Sequence, residues 1–403
     1  MTHCFIGDFR TRRPVHTGGH EASVQWLASA HAKSESVLRA SALSATPSKN
    51  ESSEIFDQDA FRHSMERYIT RFGSGPQSLA SRGFDLDDFL HTEWERMRVY
   101  NLDRNPGGGG MDKRMEVFAE VTDRTLEGFY PEGSEAPGEL IHVTCTGYVA
   151  PSAAQKVVVK RGWEQRTGVI HAYHMGCYAS LPAIRMASAF LASPRILGGS
   201  RNTATTGTGR VDVVHTEICS LHLDPSQHSP EQLVVQSLFG DGHIRYSLTP
   251  ESRGPGLRFL GVHEELVPGS LGAIGWILGD RGMRIMLSRE VPDLIAATLR
   301  DFLKRMFAAA GIDAVEALSK GIFAIHPGGP KIIDKVATLL ELTPEQVAAS
   351  RAVLKACGNM SSATLPHIWA GLVEDASIPS GTLITSLAFG PGLTVYGAVL
   401  RKA

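Results

Sequence analysis

From residue 140 onward, short apolar runs alternate with segments of helical periodicity. The runs at 140–145, 168–173 and 211–218 predict strands, and the stretches at 152–161 and 177–192 predict helices. Strands that alternate with helices in this way are typical of a mostly parallel sheet with helices on its faces. The pattern therefore predicts an α/β fold.

The flanking segments extend this pattern in both directions. The first 130 residues read as one strand at 3–9 and then mainly helices, with a surface loop at 41–53. Further strands are expected at 244–248, 256–263, 322–325, 382–389 and 393–400, and further helices at 21–38, 292–309, 330–339 and 344–356. We expect two α/β halves, residues 1–250 and 251–403.

Composition and charge narrow the class of protein. The chain has 403 residues, of which 42% are hydrophobic and 20% charged, so it can bury a sizeable core. The net charge of −2 predicts no overall attraction to nucleic acid or to anionic membranes. No apolar run approaches the roughly 20 residues of a membrane helix, and the first residues do not resemble a secretory signal. We expect a cytoplasmic protein without stable membrane insertion.

Five cysteines are scattered along the chain, and their spacing matches no zinc motif, so we expect no metal. Cys177 stands out among them. A strand is expected to end at Tyr173, Gly176 permits a tight turn, and a helix is expected to begin near the cysteine. The N-terminus of a helix favours a thiolate, which would make Cys177 a nucleophile. The alternative is a buried cysteine in a strand-to-helix turn.

Two later residues could assist such a nucleophile. His326 follows an apolar strand and precedes a glycine-proline turn, which would present it at the edge of a sheet, although it could equally be a core histidine. Asn359 could cap a helix that starts at Ser361, or it could donate an amide N–H to an oxyanion. This order of residues fits a papain-like protease or a thioester-condensing enzyme, and the sequence context of the papain-type cysteine is absent.

Five motifs, in this order and at this spacing, carry a family resemblance. They are Gly176-Cys177-Tyr178-Ala179 and the segments 237–242, 325–330, 358–362 and 389–393. Together they resemble the type III polyketide synthases, the chalcone-synthase-like branch of the thiolase superfamily. The resemblance extends from about residue 140 to residue 403, and the preceding residues match only loosely.

The resemblance implies a thiolase fold, in which two similar α/β halves form a five-layered αβαβα core, and usually a homodimer. It implies that Cys177 accepts the acyl group, while His326 and Asn359 support the thiolate and bind the thioester oxygen. It requires no metal or organic cofactor, because the substrates arrive as phosphopantetheine or CoA thioesters. It also implies that Phe239 is a gatekeeping aromatic and that Gly390, Pro391 and Gly392 shape the cavity.

The chain departs from the family pattern at several cavity positions. Ile285 replaces a second gatekeeping aromatic, Trp276 replaces a small residue, and Cys219 and His222 align near threonines that line the cavity. We expect a pocket of different shape, with ordinary core packing as the alternative at each position. His243 also replaces a small residue, and the sequence offers no role for it.

The N-terminal part bears on the substrates. Arg62, Arg67 and Arg71 differ in register from the family's CoA-binding residues, and the glycine run 107–110 is either a mobile connection or a loop that contacts a ligand. The segments 142–152 and 171–178 look closer to bacterial ketosynthases that close α-pyrone antibiotics.

We therefore expect a homodimeric enzyme of antibiotic biosynthesis that joins two β-ketoacyl chains carried by acyl carrier proteins and closes an α-pyrone. Three alternatives remain open. The first is a type III synthase that extends an acyl-CoA starter with malonyl-CoA to an alkylpyrone or resorcinol. The second is a 3-oxoacyl-ACP synthase of the initiation type. The third is a catalytically silent partner of another synthase.

Overall fold

A computed structural model describes residues 4–45, 56–192 and 209–403 of the chain. These residues form thirteen strands and eleven helices. The strands are β1 (Cys4–Arg12), β2 (His16–Gly19), β3 (Ser81–Phe84), β4 (Glu139–Thr144), β5 (Gly168–Tyr173), β6 (Val211–Glu217), β7 (Gly242–Thr249), β8 (Gly256–Leu266), β9 (Ile274–Gly279), β10 (Gly282–Leu287), β11 (Ile322–Ile325), β12 (Leu383–Gly390) and β13 (Thr394–Lys402). The helices are α1 (His20–Ala45), α2 (Gln58–Phe72), α3 (Met111–Phe129), α4 (Ala153–Lys160), α5 (Ser180–Ala192), α6 (Pro230–Leu238), α7 (Val291–Ala310), α8 (Ala314–Lys320), α9 (Pro330–Leu340), α10 (Ala348–Cys357) and α11 (Thr364–Glu374).

Nine of these strands form one large sheet, in the order β11-β12-β13-β8-β1-β7-β6-β4-β5. Strand β4 runs parallel to β5 and β6, and β11 runs parallel to β12, while the remaining neighbours are antiparallel. The expectation of a mostly parallel sheet is therefore wrong. The apolar runs identified the strands, but strand direction depends on distant partners that a local pattern does not reveal.

The sheet contains the same topology twice. In the first half, β4 pairs parallel with β6, and β6, β7 and β1 follow as antiparallel neighbours; in the second half, β11, β12, β13 and β8 repeat these relations. The two repeats meet where β1 pairs antiparallel with β8. The boundary predicted at residue 250 falls between β7 and β8, and the division into two domains stays a prediction.

Three of the five clusters of buried hydrophobic side chains among the described residues lie between helices and the strands of the large sheet. A central core lies between the two halves, because α5 and α11 pack there against strands of both. An outer core lies between α7, α9 and the strands of the second half. The opposite outer core lies between α3, α4 and strands β4 and β6. The predicted α/β thiolase fold with two similar halves is thus confirmed.

The N-terminal region contains more than the predicted helices. Strands β2 and β3 form a separate antiparallel pair, although neither has the apolar alternation of a half-buried strand. A second hairpin, β9–β10, also lies outside the large sheet. Within the predicted loop 41–53, residues 41–45 are the end of α1, and residues 46–53 lie outside the described residues. In the part of the chain that the model describes, no helix has the length and apolarity to cross a membrane.

Candidate active site

Cys177 lies in a tight turn between β5 and α5. The helix begins at Ser180, three residues later than the cysteine, and the turn closes where the Ala179 N–H donates to the Gly176 carbonyl at 3.1 Å. Gly176 has φ +86°, a conformation that side chains rarely adopt, and its Cα faces the ring of Pro391. The sequence therefore produces the predicted strand-turn-helix at this position.

The loop between β12 and β13 packs directly against this turn. Gly390 leaves room for the ring of Tyr178, since a Cβ at Gly390 would lie 1.9 Å from that ring. Pro391 fills the space beside Gly176. The predicted cavity loop is thus in contact with the turn that carries Cys177.

The thiol of Cys177 faces two polar side chains of the segment after α10. Its Sγ lies 3.9 Å from the Oγ of Ser361, and the Asn359 amide also contacts it. Burial raises the pKa of Cys177 to about 12; the contact with Ser361 opposes that rise and the charge of Glu217 adds to it. Burial thus favours the thiol form of Cys177, whereas the N-terminus of a helix would favour a thiolate.

The side chain of Asn359 contacts both the turn that follows it and Cys177. Its Oδ1 accepts the Ser361 N–H at 2.9 Å, which stabilises the turn into the short 3-10 helix that precedes α11. Its amide nitrogen faces Cys177. The backbone of Asn359 pairs with the segment that follows α6. Its N–H donates to the Leu238 carbonyl and its carbonyl accepts the Gly240 N–H, both at 3.0 Å. These two bonds fix Phe239 beside Asn359 as a parallel bridge.

His326 follows β11 directly and is 2% exposed. Its backbone N–H donates to the Leu387 carbonyl of β12 at 2.8 Å. Since β12 runs parallel to β11 and ends at Gly390, His326 lies at the same end of the sheet as the loop that packs against Gly176. Neither ring nitrogen has a hydrogen-bond partner among the described residues, and burial lowers the pKa of His326 to about 3. The ring is therefore neutral, and both of its nitrogens are available to a ligand.

A buried carboxylate, Glu217, lies near Cys177 and was not anticipated from the sequence. It ends strand β6 and accepts hydrogen bonds from the Cys145 N–H at 3.0 Å, the Thr146 hydroxyl at 3.0 Å and the Ser362 hydroxyl. Burial raises its pKa, and the hydrogen bond from Ser362 opposes that rise. The one available signal was an acidic residue at the end of a fully buried strand.

The hairpin β9–β10 carries the two unusual cavity residues opposite each other. Trp276 pairs with Ile285 across the hairpin, and both are half-buried. The Trp276 indole N–H donates to the Cys145 carbonyl at 3.2 Å, and the Ile285 carbonyl accepts from Gln232 of α6 at 2.9 Å. The hairpin is thus attached to the segment beside Cys177 and to the helix that leads to Phe239.

His222 and Cys219 lie on the short segment between β6 and α6. The His222 Nε2 bonds to the Thr146 carbonyl at 2.7 Å, and its Nδ1 accepts the Met283 N–H at 3.2 Å. Burial lowers the pKa of His222 to about 3, so it is a neutral residue that joins the segment to the hairpin. Cys219 is buried, and its pKa is raised by burial and by the nearby charge of Glu217.

The glycine run 107–110 is hydrogen-bonded to a buried side chain. The guanidinium of Arg114 is buried and donates to the carbonyls of Gly107 and Gly109, both at 2.8 Å, as well as to Leu221. The Met111 N–H donates to the carbonyl of Asp280 in the hairpin turn at 2.9 Å. Within the described ranges, no cluster of three or more His, Cys, Asp or Glu side chains could hold a metal ion.

Known proteins resemble this chain in both sequence and structure. Residues 260–403 match the family model of chalcone and stilbene synthases, C-terminal domain. Type III polyketide synthase C of Arabidopsis thaliana is 30% identical over 270 residues, which cover 65% of this chain and 67% of that protein. The 1,3,6,8-tetrahydroxynaphthalene synthase of Streptomyces griseus is 28% identical over 316 residues, which cover 75% of this chain and 79% of that protein.

Two solved structures share the fold over almost their entire length. The C-terminal type III polyketide synthase domain of Steely1, a type I/III hybrid from Dictyostelium, aligns with a TM-score of 0.76 and 20% identity, covering 99% of both chains. The 1,3,6,8-tetrahydroxynaphthalene synthase of Streptomyces coelicolor aligns with a TM-score of 0.72 and 21% identity, again covering 99% of both chains.

Proposed function

Because the chain belongs to the type III polyketide synthases, we propose that this condensing enzyme joins two β-ketoacyl chains and closes an α-pyrone from them. Each chain would arrive as a thioester on an acyl carrier protein. The main support is the buried ring of His326, whose two nitrogens lack partners among the described residues and which lies at the same end of the sheet as Cys177. The proposed chemistry uses neither a metal nor an organic cofactor.

The first half-reaction transfers one chain to the enzyme. The Cys177 sulfur attacks the thioester carbonyl while its proton passes to His326, and a tetrahedral oxyanion forms. When this intermediate collapses, the bond to the phosphopantetheine sulfur breaks, and the departing thiolate takes the proton from His326. The result is an acyl-cysteine and a free carrier thiol, with no net oxidation or reduction.

The second half-reaction joins the chains and closes the ring. The α-carbon of the second chain lies between two carbonyls, so it gives a proton readily to the neutral ring of His326, which later returns it to the Cys177 sulfur, and it attacks the acyl-cysteine carbonyl. A carbon–carbon bond forms, and the Cys177 thiolate leaves and is reprotonated. An enol oxygen of the joined chain then attacks the remaining thioester, and the ring C–O bond forms as the second carrier thiol departs.

Both partners of the proposed proton transfer are neutral in the resting site, and we propose that substrate binding brings their pKa values together. Burial raises the pKa of Cys177 to about 12 and lowers that of His326 to about 3, so both groups are neutral near pH 7. A neutral imidazole can accept the thiol proton as the sulfur attacks, and the imidazolium it becomes is then a proton donor. The pair would titrate as one unit once substrate is bound.

The side chain of Asn359 supports the proposed oxyanion site. Its Oδ1 is occupied by Ser361, so the amide N–H groups face Cys177 and the carbonyl that Cys177 would attack. A positioned donor of this kind typically contributes about 2.7–4 kcal/mol to the transition state. We propose that Asn359 and His326 together bind this oxygen.

Two features favour carrier-bound chains over CoA substrates. Arg62, whose register differs from that of the family's CoA-binding residues, ion-pairs with Asp59 at 3.6 Å and Glu66 at 3.9 Å within its own helix. The cavity wall also differs, because Ile285 and Trp276 stand opposite each other on the hairpin. We propose that these side chains shape the space for the second chain.

A second candidate is the extension of an acyl-CoA starter with malonyl-CoA by decarboxylative condensation. Its support is the family itself, since the matching proteins carry the names of type III polyketide synthases. In this reaction the loss of CO2 would generate the carbanion, and Cys177, His326 and Asn359 would keep the same roles.

We further propose that the enzyme is a homodimer. Strand β5 lies at one edge of the large sheet, and we propose that this edge forms the contact between the two subunits. Light scattering of the purified protein measures the mass.

Intact-protein mass spectrometry tests the nucleophile and the substrate class together. The protein is incubated with a β-ketoacyl thioester on a carrier protein, or with hexanoyl-CoA and malonyl-CoA, and products are extracted. We expect an acyl adduct on the wild type and on Cys357→Ala, and none on Cys177→Ala. Normal turnover with malonyl-CoA and release of CO2 would contradict the two-chain reaction. Product formation by Cys177→Ala would contradict the role of the cysteine.

A further inference from the structure

Arg82 on strand β3 is a buried cation that contacts the chain segment next to the site. The side chain is 3% exposed. Its Nη1 donates to the carbonyls of Gln236 and Phe239, both at 2.9 Å. These carbonyls lie at the C-terminal end of α6, where helix carbonyls lack intrahelical partners and the helix dipole is negative. The guanidinium therefore caps the helix that leads into Phe239.

The aliphatic part of Arg82 also lies across the two paired segments of the site. A Cβ at Gly240 would lie 3.2 Å from the Cβ of Arg82, and a Cβ at Gly358 would lie 3.1 Å from its Cγ. Gly240 follows Phe239, and Gly358 precedes Asn359. One side chain thus contacts both strands of the bridge in which Asn359 is held.

The surrounding hydrogen bonds attach β3 to the same elements. Ala80 donates its N–H to the Lys355 carbonyl at 2.8 Å, and the Ser81 hydroxyl donates to the Ala356 carbonyl at 2.8 Å. On the other side, the Asp241 N–H donates to the Gly83 carbonyl at 2.9 Å. Strand β3 therefore binds the end of α10 and the start of β7 at once.

Burying a cation without a direct ion pair is costly unless its donors are satisfied. Burial lowers the pKa of Arg82 to about 10, and the carboxylate of Asp241 opposes that change, so the guanidinium stays charged at neutral pH. A neutral side chain would fill the same volume at lower desolvation cost. The positive charge of Arg82 is therefore explained by the two carbonyl groups to which its guanidinium donates.

We propose that Arg82 is a positioning residue for the condensation: it holds the end of α6 so that Phe239 and Asn359 keep their places beside Cys177. The proposal rests on the proposed function of Cys177 and Asn359. It makes the N-terminal region, which matches the family only loosely, a part of the catalytic apparatus.

Three variants test this role. Arg82→Met removes the donors and keeps much of the volume, and Arg82→Lys keeps the charge with a single donor group. Arg161→Met is the matched control, because the Arg161 Nε donates to the Tyr130 carbonyl at 2.7 Å, at the C-terminal end of α3, outside the site. Thermal unfolding of each variant shows how much stability is lost.

The first readout is independent of substrate. Asn359 lowers the pKa of Cys177, so a displaced Asn359 should raise that pKa and slow the alkylation of Cys177 by iodoacetamide at a fixed pH. We expect Arg82→Met and Asn359→Ala each to slow alkylation several-fold, Arg82→Lys to be intermediate, and Arg161→Met to match the wild type. Equal alkylation rates in Arg82→Met and the wild type would overturn the proposal.

The second readout is turnover with the substrates that the wild type accepts. We expect kcat of Arg82→Met to fall at least about tenfold with little change in KM, since loss of an oxyanion donor costs about 10²–10³ in kcat. A similar fall in an equally destabilised Arg161→Met would mean that general loss of stability is the cause, and would also overturn the proposal. If the wild type itself gives no acyl adduct, the proposed function fails, while the alkylation rates still decide the role of Arg82.

Discussion

The Nε2 of His243 lies 2.7 Å from the Oδ2 of Asp85, and the two side chains are 1% and 4% exposed. This pair gives His243 the role that the sequence did not reveal. It joins β7 of the large sheet to the residue that follows β3 by one position. The carboxylate of Asp85 also lies 3.4 Å from Arg124 of α3, so three elements meet at one buried charge.

Removing one partner of this buried pair should destabilise the fold. His243→Ala leaves the buried Asp85 carboxylate with only the partly exposed Arg124 as a neighbouring cation, and the free energy of unfolding should fall by about 3 kcal/mol. Urea denaturation followed by circular dichroism measures the change. The double variant Asp85→Asn with His243→Ala should lose less than the single variant, because no uncompensated charge is left. A loss below about 1 kcal/mol in His243→Ala would show that the pair is a solvated contact.

The raised pKa of Cys177 predicts how its reactivity depends on pH. A thiol with a pKa of about 12 is almost entirely protonated at neutral pH, and its thiolate fraction grows about tenfold per pH unit. The rate of alkylation by iodoacetamide, followed by mass spectrometry of the Cys177 peptide, should therefore keep rising above pH 9. A plateau below pH 8 would indicate a preformed thiolate–imidazolium pair and would contradict the neutral resting site.

Glu217 should make stability fall as the pH rises. Its folded-state pKa is raised, so its contribution is fully present below the unfolded value of about 4.3 and is lost as the pH rises through the folded value. Glu217→Gln cannot ionise and should lack this loss. The difference in unfolding free energy between variant and wild type should thus favour the variant more at about pH 8 than at about pH 5. A difference that does not change with pH would argue against the raised pKa.

The same Glu217→Gln variant offers an independent check at the site. The charge of Glu217 raises the pKa of Cys177, so its removal should speed alkylation of Cys177 at a given pH. Glu374→Gln on the exposed end of α11 is a suitable control for a removed carboxylate.

Trp276 should limit the size of the acyl chain. Trp276→Gly removes the indole that stands opposite Ile285 and donates to the Cys145 carbonyl, so the cavity should accept longer or bulkier chains. We expect a shift of the product distribution toward longer chains, measured by mass spectrometry of extracted products. Trp276→Phe keeps most of the volume and should give a smaller shift. An unchanged distribution in Trp276→Gly would mean that the indole lies outside the path of the substrate.

Much of the large sheet could be predicted from the sequence, because strands such as β4, β11 and β12 are rich in apolar residues and are followed by turn residues. Strands β5 and β11 begin and end where the pattern placed them, at 168–173 and 322–325. The pair β2–β3 was not predicted, since its four-residue strands contain glycine and polar residues and pair across more than sixty positions. A local pattern cannot show a partner so distant along the chain.

Part of the candidate site could also be predicted from the sequence. Cys177, His326 and Asn359 are visible because each follows or precedes a turn with glycine, and the family motifs order them. Glu217 and Arg82 were not predicted, since a single charge in a short strand has no periodicity. Their roles depend on contacts with residues distant in the sequence. Glu217 accepts hydrogen bonds from Cys145 and Ser362, and Arg82 donates to the end of α6.

Strand β1 sits in the middle of the large sheet, between β7 and β8, although it comes first in the described chain. Its residues pair with positions more than two hundred residues away, such as Phe5 with Thr249 and Cys4 with Phe259. During synthesis on the ribosome β1 therefore waits for both neighbours, and contacts at such separation make folding slow. Before β8 has been synthesised, β1 can pair only with β7, and the other edge of β1 remains unpaired. Such an exposed strand edge promotes aggregation. Folding yield should thus depend on how long that edge stays open.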